Sequence, residues 1–221
     1  MPTIFERALD FVPDGADIGL GSGRAAFAFV RLLGERVRAG ALRVRGVATS
    51  EGTAQLAREV GVPLISLAET GELALTVDGA DEVDPRRDLI KGWGRALVRE
   101  RIVAASSRKL VILVGEEKLV PVLGTRGKLP VEVLPFGLPL VERKLRELGL
   151  EPVLDVREGS PFVTDNGNYV LDCMMAPTAQ ARILEASIRE VPGVVGTGFF
   201  LGMASTVLVG RGDAMDLVSE R

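Results

Sequence analysis

The chain has 221 residues, enough for one large domain or for a main domain with a smaller one. Hydrophobic residues make up 47% of it and charged residues 26%, a composition that supports a packed core and excludes general disorder. The net charge of −3 provides no basic surface for nucleic acid, the single cysteine excludes an internal disulfide, and the absence of histidine argues against a zinc site.

In the first half of the chain, short apolar runs alternate with amphipathic ones. The pattern predicts strands at 17–20, 44–48, 63–67, 73–77 and 110–114, and helices at 25–39, 53–60 and 94–105. Apolar strands separated by helices are typical of a parallel sheet that is covered on both faces. Ligands bind such sheets at the carboxyl ends of the strands, so we expect the loops after Leu20, Val77 and Val114 to be functional.

The composition changes near Gly124, where a connector rich in proline and glycine begins. Beyond it the pattern predicts a helix at 141–148, strands at 152–156 and 169–173 around a turn at 165–168, and a helix at 178–189. These elements describe a small α+β unit of roughly 70 residues.

Two segments bear on location. The N-terminal residues have no basic region followed by a long apolar run, so they do not resemble a signal peptide, and we expect a cytoplasmic protein. Residues 191–210 include no charged side chain over 20 positions, which is the length of a membrane span. Pro192 and the five glycines of this segment favour two buried strands joined by a turn near Gly202, so no membrane association is expected.

The loop after the first predicted strand reads G-L-G-S-G-R-A-A from Gly19 to Ala26. Backbone N–H groups of a glycine-rich turn that enters a helix bind anions, most often phosphate. Arg24 stands where a dinucleotide-binding loop needs a third small residue, and no Gly-Lys-Ser/Thr follows as a P-loop requires. A small phosphorylated ligand is the preferred interpretation, and a tight turn without a ligand is the alternative.

Acidic residues follow the strand predicted at 73–77, in the sequence D-G-A-D-E. Helix capping and solvated turn positions would explain one or two of Asp78, Asp81 and Glu82, and the spacing does not match a calcium loop. Because the chain has no histidine, any proton transfer must use Asp, Glu, Lys, Tyr or Cys173.

Glu100 is the sharpest candidate for such a role. On the helix predicted at 94–105, the positions three and four residues away from it are apolar: Ala96, Leu97, Val103 and Ala104. A carboxylate in the middle of an apolar stripe is expected to lose solvent and to have a raised pKa, which suits a general base near neutral pH. The alternative is a buried structural ion pair with Arg99, Arg101 or another base.

Taken together, these loops resemble the ribose-5-phosphate isomerases of the A type. The resemblance covers nearly the whole chain in order. Its motifs are G-L-G-x-G at 19–23, T-S-E-G-T at 49–53, D-G-A-D-E at 78–82, K-G-x-G at 91–94, R-E-R at 99–101, Lys118, L-P-V-E-V-x-P-F at 129–136, and the terminal P-G-V-V and T-G-F-F runs.

The resemblance implies a Rossmann-like α/β fold, a mostly parallel sheet with helices on both faces, and a small inserted α+β domain. The expected ranges are 1–125 and 200–221 for the catalytic domain and 126–199 for the small one. The implied activity is interconversion of ribose 5-phosphate and ribulose 5-phosphate, in the pentose phosphate pathway, with no metal and no organic cofactor. The implied partners are the small phosphosugar and further copies of the chain, in a homodimer or homotetramer.

The resemblance also implies residue roles. Glu100 would move a proton between C2 and C1, and Lys91 would stabilise charge on the enediolate oxygens. Asp81 would help to open the sugar ring, while Asp78 would hold hydroxyls and orient Lys91. The implied substrate-binding residues are Ser22, Gly23, Arg24, Ala25, Gly79, Ala80, Gly92, Trp93, Gly94 and Lys118.

The chain departs from the family pattern in three places. Arg24 and Ala25 stand where the loop usually has Ser and Thr, so one guanidinium replaces two hydroxyls. Lys118 is preceded by two glutamates, and the bulky Trp93 and Arg95 occupy positions that are often small. These changes bear on the phosphate geometry and on the identity of the substrate.

Two other functions therefore stay open: a catalytically silent sugar-phosphate sensor, and an enzyme acting on a different phosphosugar. The presence of Asp81, Lys91 and Glu100 together favours an enzyme, because a sensor needs no base.

Overall fold

The computed structural model describes residues 3–211 and 214–218, and it describes side chains over 3–210. The helices are α1 (Ile4–Leu9), α2 (Arg24–Arg38), α3 (Glu51–Glu59), α4 (Leu97–Ala105), α5 (Leu138–Glu147) and α6 (Ala181–Arg189). The strands are β1 (Ala16–Leu20), β2 (Val44–Ala48), β3 (Leu75–Gly79), β4 (Glu82–Val83), β5 (Leu89–Ile90), β6 (Leu110–Gly115), β7 (Lys128–Val133), β8 (Glu151–Leu154), β9 (Val156–Arg157), β10 (Ser160–Pro161), β11 (Tyr169–Met174), β12 (Val194–Thr197), β13 (Phe199–Phe200), β14 (Thr206–Arg211) and β15 (Ala214–Val218).

The chain divides into two compact units. The first comprises the described residues within 1–80, 99–118 and 203–221. Its sheet has the order β15-β14-β6-β3-β1-β2, and all neighbouring pairs are parallel except β14 with β15. From β1 the chain moves outward to β2 and then returns to β3 on the other side, so the strand order reverses between β1 and β3. Ligands bind at such a reversal point in open α/β sheets.

The strands of this sheet alternate between its two faces, as buried parallel strands must. Leu20 of β1 and Val77 of β3 belong to the core formed with α1 and α2. On the opposite face, Gly19 and Thr76 lie against Val103 of α4, and a Cβ built on Gly19 would be 2.5 Å from the Val103 Cγ1. Glycine at 19 therefore lets α4 pack closely against the sheet. The expected parallel sheet with helices on both faces is confirmed.

The second unit comprises residues 81–98 and 119–202. Its main sheet is antiparallel, in the order β12-β7-β11-β8, and its core includes side chains from α5 and α6, such as Leu145 and Ile188. A smaller sheet joins β13, β5 and β4.

Three expectations differ from the structure. No strand spans 63–67, where Leu64 forms one isolated bridge with Gly46 before a 3-10 turn begins at Leu67. Residues 191–210 form parts of three strands, β12, β13 and β14, rather than two. The second unit also includes residues 81–98, 119–125 and 200–202, which were expected in the catalytic domain. They belong to it because β4 and β5 form one sheet with β13. Over the part of the chain that the structure describes, no helix combines the length and apolar character of a membrane span.

Candidate active site

In the first unit, the loop after β1 is fastened to the end of β3. The backbone N–H of Gly21 donates to the Val77 carbonyl at 2.9 Å. The Asp78 Oδ1 accepts from the backbone N–H groups of Ser22, at 3.1 Å, and of Gly79, at 2.8 Å. Asp78 is only 1% exposed, so these bonds satisfy the Oδ1 of a carboxylate that has lost most of its solvent.

The loop leads into an open helix N-terminus. Gly23 is the N-cap of α2 with a φ of 89°, and no side chain caps the helix or places an acid in its first turn. The first N–H groups and the positive end of the helix dipole therefore stay available to an anion. Arg24, the first residue of α2, is exposed and forms no hydrogen bond or ion pair with the described residues. Ala25 is half-buried, and its Cβ would lie 3.8 Å from a Cβ on Gly79.

Hydroxyl groups gather around Ser22. Its Oγ lies 2.8 Å from the Thr49 Oγ1, 2.8 Å from the Ser50 Oγ and 3.0 Å from the Thr53 Oγ1. Thr49 donates its proton to the Leu20 carbonyl, and Thr53 donates to the carbonyl of the residue before Ser22. The Ser22 hydroxyl donates within the cluster, to the Ser50 Oγ. The T-S-E-G-T motif was noted in the sequence, but this hydroxyl cluster was not predicted. The spacing of Ser50 and Thr53 could have indicated part of it, because it is the spacing of a helix N-cap. Ser50 does cap α3, and its Oγ accepts from the Thr53 N–H at 3.1 Å.

The expected burial of Glu100 is confirmed. Glu100 is 3% exposed, and the apolar residues expected around it are buried as well: Leu97, Val103 and Ala104 on α4, and Ala96 just before it. Val103, one turn further along α4, lies against Gly19 and Thr76 in the middle of the sheet. The helix of a parallel crossover runs antiparallel to its strands, so Glu100 lies nearer than Val103 to the carboxyl ends of β1 and β3. This is the edge at which Asp78 is held.

Lys118 ends the 3-10 turn that follows β6, and it is partly buried. β6 is the neighbour of β3, so Lys118 follows the same edge of the sheet. The two glutamates before it are exposed, and the Glu117 carboxylate folds back over Gly115, where an added Cβ would lie 2.1 Å from its Oε2.

The second unit holds Asp81 and the turn from Lys91 to Arg95. The backbone N–H of Trp93 donates to the Asp81 Oδ2 at 2.9 Å. Lys91 is 3% exposed, its N–H donates to the Gly198 carbonyl at 2.8 Å, and its ammonium lies 5.4 Å from the centre of the Phe200 ring. Gly92 has a φ of 104°, which favours glycine at that point of the turn. Gly94 is exposed.

Glu82, the third acidic residue of the D-G-A-D-E motif, has a structural role. Glu82 is fully buried, and its two carboxylate oxygens accept from the backbone N–H groups of Gly124 and Arg126, each at 2.7 Å. It therefore holds the connector that leads to β7, whereas Asp78 and Asp81 bind loop amides of other segments. Ala80, between them, is half-buried. Within the described ranges, no three acidic or cysteine side chains are grouped so that they could hold a metal ion.

Comparison with known proteins identifies the family. The family model of ribose 5-phosphate isomerase A (phosphoriboisomerase A) matches residues 45–214. The chain belongs to this family. It is 50% identical over 212 residues to the ribose-5-phosphate isomerase A of Roseiflexus castenholzii, a match that covers 95% of this chain and 91% of the relative.

Solved structures of the family share the fold. The ribose 5-phosphate isomerase A of Methanocaldococcus jannaschii is 38% identical, with a TM-score of 0.93 over 99% of this chain and 97% of the other. A D-ribose-5-phosphate isomerase solved in complex with phospho-erythronic acid is 33% identical, with a TM-score of 0.94 over the full length of both chains. The chain is accordingly an aldose–ketose isomerase that interconverts ribose 5-phosphate and ribulose 5-phosphate.

Proposed function

We propose that Glu100 is the base that moves the proton between C2 and C1 of the substrate. The observation behind this assignment is its burial on α4, toward the carboxyl ends of β1 and β3. A positioned carboxylate shielded from water transfers protons efficiently, and no histidine is present to compete for the role.

Two groups of the second unit have supporting roles. Lys91 stabilises the charge that develops on the enediolate oxygens, since an ammonium with little solvent around it acts strongly on nearby charge. Asp81 assists opening of the sugar ring, and its carboxylate is oriented by the Trp93 N–H. Together with Glu100 these groups supply a base and charge stabilisation, so the proposed reaction uses no metal and no organic cofactor.

The phosphate of the substrate binds at the start of α2. Open N–H groups of α2 and the exposed Arg24 provide donors there, the Ser22 hydroxyl lies in the same loop, and Lys118 adds a positive charge from the loop after β6. Asp78 orients this loop through the Ser22 N–H. One relative was solved with phospho-erythronic acid, a phosphorylated sugar acid, which supports a phosphate site in this chain as well.

The deciding experiment is conversion of ribose 5-phosphate to ribulose 5-phosphate by the purified protein in the presence of EDTA. We expect reversible isomerisation that survives the chelator and needs no added nicotinamide. Activity that disappears on chelation and returns with a divalent ion would contradict the cofactor-free mechanism. Binding of the phosphosugar without turnover would favour a sensor.

We also propose a homo-oligomer, a homodimer or a homotetramer, in the cytoplasm. Phe136 is 94% exposed, and Leu134 beside it is 48% exposed. Apolar side chains of this size are commonly covered by a partner. Light scattering on the purified protein will give the mass, and a monomer at micromolar concentration would contradict the assembly. The phosphorylated sugar substrate supports the cytoplasmic location.

A further inference from the structure

Arg95 occupies a backbone conformation that a residue with a side chain rarely adopts. Its φ is 69°, in the left-handed region, and its N–H donates to the Gly92 carbonyl at 3.0 Å, which closes the Lys91–Arg95 turn. A non-glycine residue keeps such a conformation only where the surrounding structure enforces it. At Arg95, the ion pairs of its side chain hold the backbone in this conformation.

The Arg95 guanidinium is clamped between two aspartates. Its two terminal nitrogens donate to the two carboxylate oxygens of Asp172, at 2.6 and 2.7 Å, and its Nε lies 2.9 Å from the Asp155 Oδ2. The three side chains are 9%, 18% and 12% exposed, so solvent screens these ion pairs weakly. A guanidinium that donates two parallel hydrogen bonds to one carboxylate forms one of the strongest and most directional ion pairs in proteins, and lysine cannot reproduce this geometry.

A second contact fastens the same turn at Trp93. The Lys128 ammonium lies 2.9 Å from the Asp172 Oδ2 and 5.1 Å from the centre of the Trp93 ring. The indole N–H of Trp93 donates to the Lys128 carbonyl at 3.3 Å. Asp172, on β11, therefore holds both Arg95 and Trp93 through short contacts, Arg95 directly and Trp93 through Lys128.

The held turn contacts the groups that the proposed reaction needs. The backbone N–H of Trp93 donates to the Asp81 carboxylate, and Lys91 begins the turn. We propose that Arg95 and Asp172 are positioning residues, which fix the Lys91–Arg95 turn so that Asp81 and Lys91 keep their catalytic geometry. This inference rests on the proposed roles of Asp81 and Lys91.

The test compares kcat and KM for ribose 5-phosphate in variants of the full chain. We expect Arg95→Ala to lower kcat by about 10- to 100-fold, the loss typical of a slightly misplaced catalytic group, while KM changes by less than about threefold. Arg95→Gly removes the same side chain but accepts the positive φ without strain, so its kcat should fall as much. Should Arg95→Ala fail to fold, Arg95→Gly gives the answer.

Arg157→Ala is the matched control. Arg157 also pairs with Asp155, at 3.0 Å, but it is exposed and belongs to β9 rather than to the turn. Replacing Arg157 removes one positive charge beside Asp155 and should leave kcat and KM at the parent values. Asp172→Asn should lower kcat as Arg95→Ala does, and the double variant should be no worse than the single ones, because both act through one contact.

The outcomes separate this inference from the proposed function. A folded Arg95→Gly protein with the parent kcat would overturn the inference; if Lys91→Met and Asp81→Asn were impaired in the same assay, the proposed function would stand. If Lys91→Met and Asp81→Asn both kept the parent kcat, the proposed roles would fail and the inference with them. A purely structural role for Arg95 would lower the melting temperature and leave kcat at 25 °C unchanged.

Discussion

The Asp78 carboxylate accepts a hydrogen bond from the backbone N–H of Ser22 at 3.1 Å, and so joins the end of β3 to the loop after β1. Gly21 makes this approach possible. A Cβ on Gly21 would lie 2.2 Å from the Asp78 Oδ1 and 2.6 Å from the Asp78 Cα, closer than non-bonded atoms approach. The glycine loop and the aspartate therefore depend on each other.

Replacing Gly21 should show that dependence. We expect Gly21→Ala to lower the free energy of unfolding by about 1–3 kcal/mol, the usual cost of forcing extra atoms into a packed site, and to weaken ribose 5-phosphate binding. Gly71→Ala is the control, because a Cβ there meets nothing within 4 Å; its stability should stay within about 0.5 kcal/mol of the parent. Urea unfolding measures both. A parent-like midpoint for Gly21→Ala would mean that the loop moves away at little cost.

The role of Glu100 is open to a direct test. Glu100→Gln keeps the size and burial of the side chain and removes the base, so kcat should fall by on the order of 10²–10⁴ while substrate binding changes little. Glu51→Gln is the control, since Glu51 is an exposed carboxylate at the start of α3 that pairs with Arg99. If the Glu100→Gln protein exchanged the C2 proton with solvent at the parent rate, another group would be the base.

The two lysines should differ in what they affect. Lys91 is assigned to charge that develops only in the transition state, and Lys118 to a charge already present on the substrate. We therefore expect Lys91→Met to lower kcat strongly, and Lys118→Met to raise KM with a smaller loss in kcat/KM. Steady-state kinetics with ribose 5-phosphate will separate them, and equal losses confined to KM in both variants would contradict the assignment.

Local patterns predicted much of the fold and part of the site. The strands at 44–48 and 110–114 and the helix at 25–39 were predicted to within one residue at each end, because their apolar periodicity is uninterrupted. The burial of Glu100 followed from the same periodicity on α4. The apolar run at 63–67 was misleading, since it pairs with β2 through a single bridge, between Leu64 and Gly46, which is too little pairing for a strand.

Contacts between distant segments had no local signal. Arg95 and Asp172 are 77 positions apart, and the sequence shows only that each is charged. The Ser22 cluster likewise depends on the pairing of β1 with β2, which brings residues 27 to 31 positions away to one hydroxyl. Such contacts follow from the sheet order, which periodicity alone does not determine.

The Asp172 ion pairs should make stability depend on pH. Burial acts to raise the pKa of this carboxyl, but the bonds from Arg95 and Lys128 outweigh it and lower the pKa below its usual range. A depressed pKa contributes stability that is present above the unfolded value, about pH 4, and is lost as the pH falls through the folded value. The melting temperature of Asp172→Asn should therefore lie below the parent by a constant margin from pH 5 to 8. The margin should shrink below about pH 4; a margin unchanged at pH 2.5 would contradict the assigned ion pairs.

Arg24 provides the most demanding prediction. Its side chain is exposed at the open N-terminus of α2, where a phosphate would accept from the first N–H groups. If the guanidinium replaces the hydroxyls usual in this loop, Arg24→Ala should weaken ribose 5-phosphate binding by roughly 1.5–3 kcal/mol, the value of charge-assisted hydrogen bonds. Binding of unphosphorylated ribose should hardly change, which serves as the internal control in a calorimetric titration.

A rescue variant sharpens this test. Arg24→Ser combined with Ala25→Thr restores two hydroxyls at the same helix end and should recover much of the lost affinity, because hydroxyls and N–H groups together can replace a guanidinium. Arg31→Ala, on the exposed side of α2, removes the same charge two turns away and should bind ribose 5-phosphate as the parent does. If Arg24→Ala bound the phosphosugar as tightly as the parent, Arg24 would be a solvated surface charge. The phosphate would then depend on Ser22, the helix N–H groups and Lys118.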